Sequence, residues 1–302
     1  MNQPLIFDIK RYAINDGPGI RITIFFKGCP LSCRWCHNPE SQSTEQQKFY
    51  TASRCIGARD CIEICPNDAL TLTPDGIVTD WKLCNLCGKC ADACPTKAIE
   101  MSGRFYSTRE LMQIIERERI HFEQSGGGVT ISGGEPLMFP EYLIELLTFC
   151  KQAGIHTTVD TSGFAPKETM LKVAENTDLF LYDLKLMDPV QHKKWTGVDN
   201  KLILENLKNL ADAGKSVNIR IPLIKNVNTD EENIRTTAHF ISTLSGKIPP
   251  VNLLPYHPIG RGKYKKMGIP WNSFGMEELT EQEVEYAVQV FKTFEIEVEV
   301  GG

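Results

Sequence analysis

Apolar and polar positions along this chain switch between two periods. Short runs of β-branched, aliphatic and aromatic residues alternate with stretches in which apolar residues fall three and four apart. The runs predict strands over 20–26, 129–131, 156–159, 179–182, 217–221, 251–254 and 294–300. Ser107 and Glu110 make a capping-box signature for a helix that ends at Gly126-Gly127-Gly128. Pro140 opens a helix with Leu143, Leu146, Leu147 and Cys150 on one face, closed by Gly154. Further helices are predicted at about 166–175, 201–213, 231–244 and 281–293, the last with Thr280 and Glu283 as a second capping box.

Strand and helix therefore repeat, which argues for a parallel sheet, open or curled into a partial barrel. Polar signatures sit at the strand ends. Cys29 follows the first strand, Gly133-Gly134-Glu135-Pro136 the second, Asp160-Thr161-Ser162-Gly163 the third and Asp183-Leu184-Lys185 the fourth. Arg220 lies at the end of the fifth, and Pro255-Tyr256-His257 follows the sixth. Parallel α/β sheets gather these ends on one face, where active sites form. Residues 39–50 read as a polar loop. Residues 51–103 break the alternation: seven cysteines lie among short segments with Pro and Asp-Gly turns, an insert held by metal rather than by a large core. The expected domains are 1–50 with 104–302, and the insert 51–103.

Composition narrows the function. The 302 residues are 41% hydrophobic and 24% charged, with net charge −5. No basic run suggests nucleic acid as the main partner, and no apolar stretch approaches a membrane span. Met1-Asn2-Gln3-Pro4 does not open a signal peptide, so a cytoplasmic setting is expected. Eleven cysteines in a reducing cytosol need a reason other than disulfides. Ten fall between Cys29 and Cys94; Cys150 stands alone on the apolar face of its helix and reads as a small buried hydrophobe.

Cys29-x3-Cys33-x2-Cys36 leaves a strand on a loop. Three thiolates leave one iron of a 4Fe–4S cube without a protein ligand, free to chelate a small molecule. Zinc would want a fourth ligand, and the adjacent His37 is poorly placed for the same ion. The insert resembles a bacterial two-cluster ferredoxin. Its second motif, Cys84-x2-Cys87-x2-Cys90-x3-Cys94-Pro95, is complete; its first, Cys55-x5-Cys61-x3-Cys65-Pro66, has Ala58 where a cysteine belongs. In such modules the fourth cysteine crosses to the other cluster. Cys65, Cys84, Cys87 and Cys90 would then hold one full 4Fe–4S cluster. Cys55, Cys61 and Cys94 would hold a second, as 3Fe–4S or as 4Fe–4S with Asp60 or water completing it; the alternative is a structural or absent site.

Cys29-Pro-Leu-Ser-Cys33-Arg-Trp35-Cys36 resembles the radical SAM signature. Asp16-Gly17-Pro18-Gly19-Ile20-Arg21 and Cys36-His37-Asn38-Pro39 are similar to the narrower family of glycyl radical enzyme activating enzymes. The likeness continues through 126–136, Asp160-Thr161-Ser162-Gly163, Asp183-Leu184-Lys185 and Leu254-Pro255-Tyr256-His257, nearly the whole chain. It implies a partial (β/α)6 radical SAM barrel with an inserted ferredoxin-like double-cluster domain. It implies reductive cleavage of S-adenosylmethionine (SAM) to methionine and a 5′-deoxyadenosyl radical, which takes hydrogen from a glycine of a partner enzyme. A flavodoxin or ferredoxin would donate electrons to a monomeric activase. Gly133, Gly134 and Glu135 would receive the SAM amino group; Trp35, His37 and Asn38 would pack near adenine. Asp160, Thr161 and Ser162 would contact SAM or a nearby cation, and Asp183 with Lys185 would contact SAM or form a structural ion pair. Arg220 would hold the SAM carboxylate or ribose region, or pair with a helix. His257 would contact SAM. Asp16 to Gly19 would line the peptide entrance or form a plain tight turn. Two other functions fit parts of the pattern: a radical SAM enzyme acting on its own small molecule, and an electron-transfer protein without catalysis. The second leaves the strand-end motifs unexplained.

Overall fold

The computed structural model describes residues 3–301; Met1 and Asn2 of the N-terminal reading, and Gly302, lie outside the described residues. The chain forms strands β1 (Leu5–Ala13), β2 (Arg21–Phe26), β3 (Gln47–Tyr50), β4 (Leu70–Thr73), β5 (Gly76–Thr79), β6 (Ile99–Ser102), β7 (Arg104–Phe105), β8 (Gly128–Gly133), β9 (His156–Thr161), β10 (Leu179–Asp183), β11 (Val217–Leu223), β12 (Val251–Pro255) and β13 (Val298–Val300). Nine of them make one sheet in the order β13-β12-β11-β10-β9-β8-β2-β1-β7. Every pair from β2 to β13 is parallel; β1 and β7 add an antiparallel edge.

Side chains alternate across this sheet. Ile22, Ile24, Val129, Ile131, Val159, Phe180, Ile219 and Leu253 point to one face, where helices bury them almost completely. The capping boxes at Ser107/Glu110 and Thr280/Glu283 both form. The helix Pro140–Gln152 buries Leu143, Leu146, Leu147 and Cys150 as its spacing requires. The other face is polar. Arg21, Thr23, Thr130, Ser132, Thr158, Asp160 and Arg220 line it, tied by hydrogen bonds such as Arg21 Nε to Thr130 Oγ1 at 2.7 Å.

The sheet curls around that polar face. Five neighbour steps separate β2 from β12, roughly 24 Å if the sheet were flat. Yet residues beyond the ends of β2 and β12 line one cavity, and His37, on the loop that leaves β2, donates from Nε2 to the carbonyl of His257 at 3.0 Å.

Several elements depart from the sequence pattern. β1 is interrupted by Asp8, Lys10 and Arg11, whose outward side chains hide its alternation. The helix Pro189–Thr196 carries clear end signals, an Asp188 cap and Gly197 in the left-handed region, but few apolar positions. The expected helix from 107 breaks into Thr108–Glu116 and Arg119–Ser125; Glu118, at the start of the second, pairs with Arg11 at 3.2 Å. Residues 39–50 are not all loop: β3 pairs antiparallel with β6 and so belongs to the seam of the insert.

Candidate active site

One cavity of about 220 Å³ opens where the ends of β2, β8, β9, β10, β11 and β12 converge. The structure brings most of the expected residues to it: Cys29, Cys33, Cys36, Trp35, His37, Gly133, Gly134, Asp160, Thr161, Ser162, Asp183 and Lys185 all line its wall. The cysteine loop is held there by backbone bonds across the barrel mouth, Ser32 N to Thr196 O at 2.7 Å and Arg34 N to Trp195 O at 3.1 Å. Burial pushes the Cys33 thiol up to about 12 and raises those of Cys29 and Cys36 as well. Left free, all three would stay protonated. Binding to iron is what makes buried thiols into thiolates, so the donor set fits an iron–sulfur cluster.

Gly133 and Gly134 permit close backbone packing. Gly133 has φ +117°, and a Cβ on Gly134 would fall 2.1 Å from the carbonyl oxygen of Gly28. The β8 turn thus presses against the cysteine loop, and no other residue type fits.

Glu135 does not face the cavity. Its carboxylate is fully buried and accepts from Thr161 Oγ1 (2.7 Å), Ser162 N (2.8 Å), Ser162 Oγ (2.5 Å) and Leu137 N (3.1 Å). Four donors occupy it, so it anchors the β9 loop from behind. Burial raises its pKa against those donors.

Charges alternate along the polar rim. Lys185 Nζ donates to Asp183 Oδ2 at 2.6 Å. Burial alone would lower this ammonium; Asp183 and the neighbouring thiols outweigh that and raise it. Asp160 accepts from Ser132 Oγ at 2.7 Å and faces Arg220 at 3.4 Å. Burial, then nearby Asp183, raises Asp160, with Arg220 opposing. Arg220 therefore stands behind the rim rather than on it. Its other contact is the carbonyl of Asn15, which places the 15–19 turn alongside. That turn is tightly built: a Cβ on Gly19 would lie 2.5 Å from the Gly127 nitrogen.

Two expected contacts point elsewhere. The His257 side chain is 69% exposed and meets Glu278 at 3.2 Å; only its carbonyl serves the site, through His37. Asn38 Oδ1 accepts from Lys263 rather than facing the cavity. Residues the sequence did not single out complete the wall, Leu31, Ser41, Gln42 and Ile224, beside Tyr256 of the strand-end motif. Ser132 was legible as a polar residue at a strand end. Lys27 was legible as a lysine closing an apolar strand; it is wholly buried and donates to the Glu40 carbonyl and to Gln47.

The insert's thiols divide between two smaller cavities. Cys65, Cys84, Cys87 and Cys90 surround one; Cys55, Cys61 and Cys94 surround the other.

Comparison with known proteins agrees with this geometry. Residues 84–238 match the radical SAM superfamily and residues 15–69 a 4Fe-4S single cluster domain. The trans-4-hydroxy-L-proline dehydratase activating enzyme of Clostridioides difficile is 43% identical, over 99% of both chains. The choline trimethylamine-lyase activating enzyme of Oleidesulfovibrio alaskensis is 38% identical, over 98% of this chain and 97% of its own. A solved domain of a pyruvate-formate lyase-activating enzyme from Bacteroides vulgatus is 40% identical, with a TM-score of 0.51, covering 58% of this chain and 99% of its own. Likeness of this extent, joined to three thiols in a cavity at the strand ends, means that the chain belongs to the radical SAM enzymes that activate glycyl radical enzymes: it cleaves SAM reductively to a 5′-deoxyadenosyl radical that takes hydrogen from a glycine of a partner enzyme.

Proposed function

We propose that the partner is a glycyl radical enzyme of the eliminating kind, a dehydratase or a lyase. The carrying observation is that both full-length relatives described above are named for such partners. The test is to incubate the reduced protein and SAM with representative glycyl radical enzymes and record the glycyl EPR doublet. A doublet on a dehydratase or lyase is expected. A doublet confined to a decarboxylase would reject the assignment.

Cys29, Cys33 and Cys36 hold the cluster, which when bound supplies the electron that splits the SAM sulfonium. Gly133 and Gly134 bring bare backbone to the SAM amino group, supported by the closeness of their turn to the cysteine loop. Glu135 acts indirectly by fixing Thr161 and Ser162. Asp160 and Asp183 face the SAM ammonium or a bound cation, and Lys185 the SAM carboxylate. Trp35 and His37 flank the adenine, His37 held by the His257 carbonyl. The apolar wall of Leu31, Ile224 and Tyr256 keeps water from the radical. The 15–19 turn lines the peptide entrance beside Arg220. A Cys33→Ala variant should release no deoxyadenosine; persistent release would reject the cluster assignment.

The insert (51–103, with β3 as its seam) carries two iron–sulfur sites, one at Cys65, Cys84, Cys87 and Cys90 and one at Cys55, Cys61 and Cys94. Two separate thiol-lined cavities support this. Occupied, they would offer electrons from a flavodoxin or ferredoxin a route into a monomeric, cytoplasmic activase.

A further inference from the structure

The insert is an internal repeat at backbone level. Gly57 and Leu86 both take positive φ, +73° and +57°; so do Arg59 and Gly88, +72° and +79°, and Asp68 and Lys97, +50° and +52°. One-turn helices follow at Asp60–Glu63 and Lys89–Asp92. Ala69 N donates to Cys65 Sγ at 3.3 Å, and Ala98 N to Cys94 Sγ at 3.2 Å. Every one of these partners is offset by 29 residues. The same offset relates Ala58 to Cys87.

Ala58 therefore sits on a backbone posed as for a cysteine, between two left-handed residues. Its methyl lines the cavity of Cys55, Cys61 and Cys94 where its counterpart offers a thiol. Residues 56–60 are all exposed, and a Cβ on Gly57 would meet nothing within 4 Å. Solvent reaches this corner freely. Asp60 corresponds to Lys89, the first residue of its helix rather than a ligand position.

Resting on the reading of the insert as a two-site module, we infer that Cys55, Cys61 and Cys94 form an iron–sulfur site whose fourth corner, at Ala58, has no protein ligand and exchanges iron with solution. A reduced, neutral three-iron core that takes up one ferrous ion becomes the doubly positive four-iron core. No electron is gained or lost, and solvent supplies the last ligand. Arg59 is locked in the left-handed region at the mouth, so the corner is shaped by its backbone rather than left over by chance.

The test uses the full chain, reconstituted without oxygen, with iron counting and EPR before and after added ferrous ion. In the parent protein, a three-iron EPR signal should appear after mild oxidation and vanish on reduction with ferrous ion. Ala58→Cys should abolish that signal and retain about one more iron per chain. Asp60→Asn should leave it unchanged. Cys55→Ala reports on the underlying reading: it should lose the cluster, and an unchanged iron count there would show that no cluster occupies the site. If Cys55→Ala loses iron but Ala58→Cys changes neither signal nor count, the corner is already ligated and the inference fails. A signal altered by Asp60→Asn would overturn it in the same way.

Discussion

Lys263 Nζ lies 2.6 Å from Glu40 Oε1 and equally close to Asn38 Oδ1, which fastens the segment after β12 to the cysteine loop after β2. Glu40 is nearly buried, and its Oε2 has no partner among the described residues. Lys263→Met would leave this buried carboxylate without its side-chain hydrogen-bond donor, at a cost of about 1–3 kcal/mol. Faster amide hydrogen exchange across 258–276 is the expected outcome. The double variant with Glu40→Gln should recover most of the loss. Unchanged exchange would mean that the segment is held by Tyr264 on Trp271 instead, whose rings stand 4.9 Å apart.

Arg220 restrains the protonation of Asp160, whose pKa is already raised by burial and by Asp183. Arg220→Met removes that restraint, so Asp160 should take up a proton at higher pH than in the parent. If the ionised carboxylate serves the SAM ammonium or a cation, SAM affinity should weaken and its acid fall-off should move to higher pH. Calorimetric titration of SAM binding over a pH series, parent beside variant, would show it. An identical pH profile in the variant would discard the role.

Lys48 Nζ donates to Cys84 Sγ at 3.6 Å, is itself buried, and lies under Trp81 at 5.1 Å. A positive charge at a cluster ligand favours the reduced, more negative state. Lys48→Met should lower the midpoint potential of the cluster proposed at Cys65, Cys84, Cys87 and Cys90, while Lys48→Arg should hardly move it. EPR-monitored redox titration is the measurement. Equal potentials in Lys48→Met and the parent would refute the assignment.

Burial lowers the Lys27 ammonium from 10.5 to about 8, with Glu40 pulling the other way. Between those values the folded chain has released a proton that the unfolded chain still holds. Stability attributable to Lys27 therefore rises with pH over that window. Urea midpoints of the parent and of Lys27→Met should diverge in favour of the parent from pH 8 toward 10. Parallel curves would show that the proton is not released there.

Cys150 is fully buried and touches Met112 rather than any other cysteine. Cys150→Ala should cost about 1 kcal/mol, read in the urea midpoint, and leave the iron content unchanged. Lost iron would make it a ligand after all.

The order of the sheet strands and of most helices from residue 128 onward was readable because their patterns are local: a strand with one buried face and a helix with one buried stripe repeat along the chain. The meeting of Cys29, Cys33 and Cys36 on one cavity wall was readable too, because they lie close in sequence on one loop. Elements with weak alternation were not readable. β1 was hidden by its charged outer face, and Pro189–Thr196 by the scarcity of buried positions along it. Nor could the sequence say how Glu135, His257, Arg220 and Asn38 are used. Each shares a motif or strand end with cavity residues, yet one rotation of the chain turns it behind the wall or out to solvent. Lys263 and Glu40 are 223 residues apart, and only the curl of the sheet makes them neighbours. Sequence spacing thus determined which residues could act together within a loop; closure of the sheet decided which loops met, because long-range contacts exist only once the strands are paired.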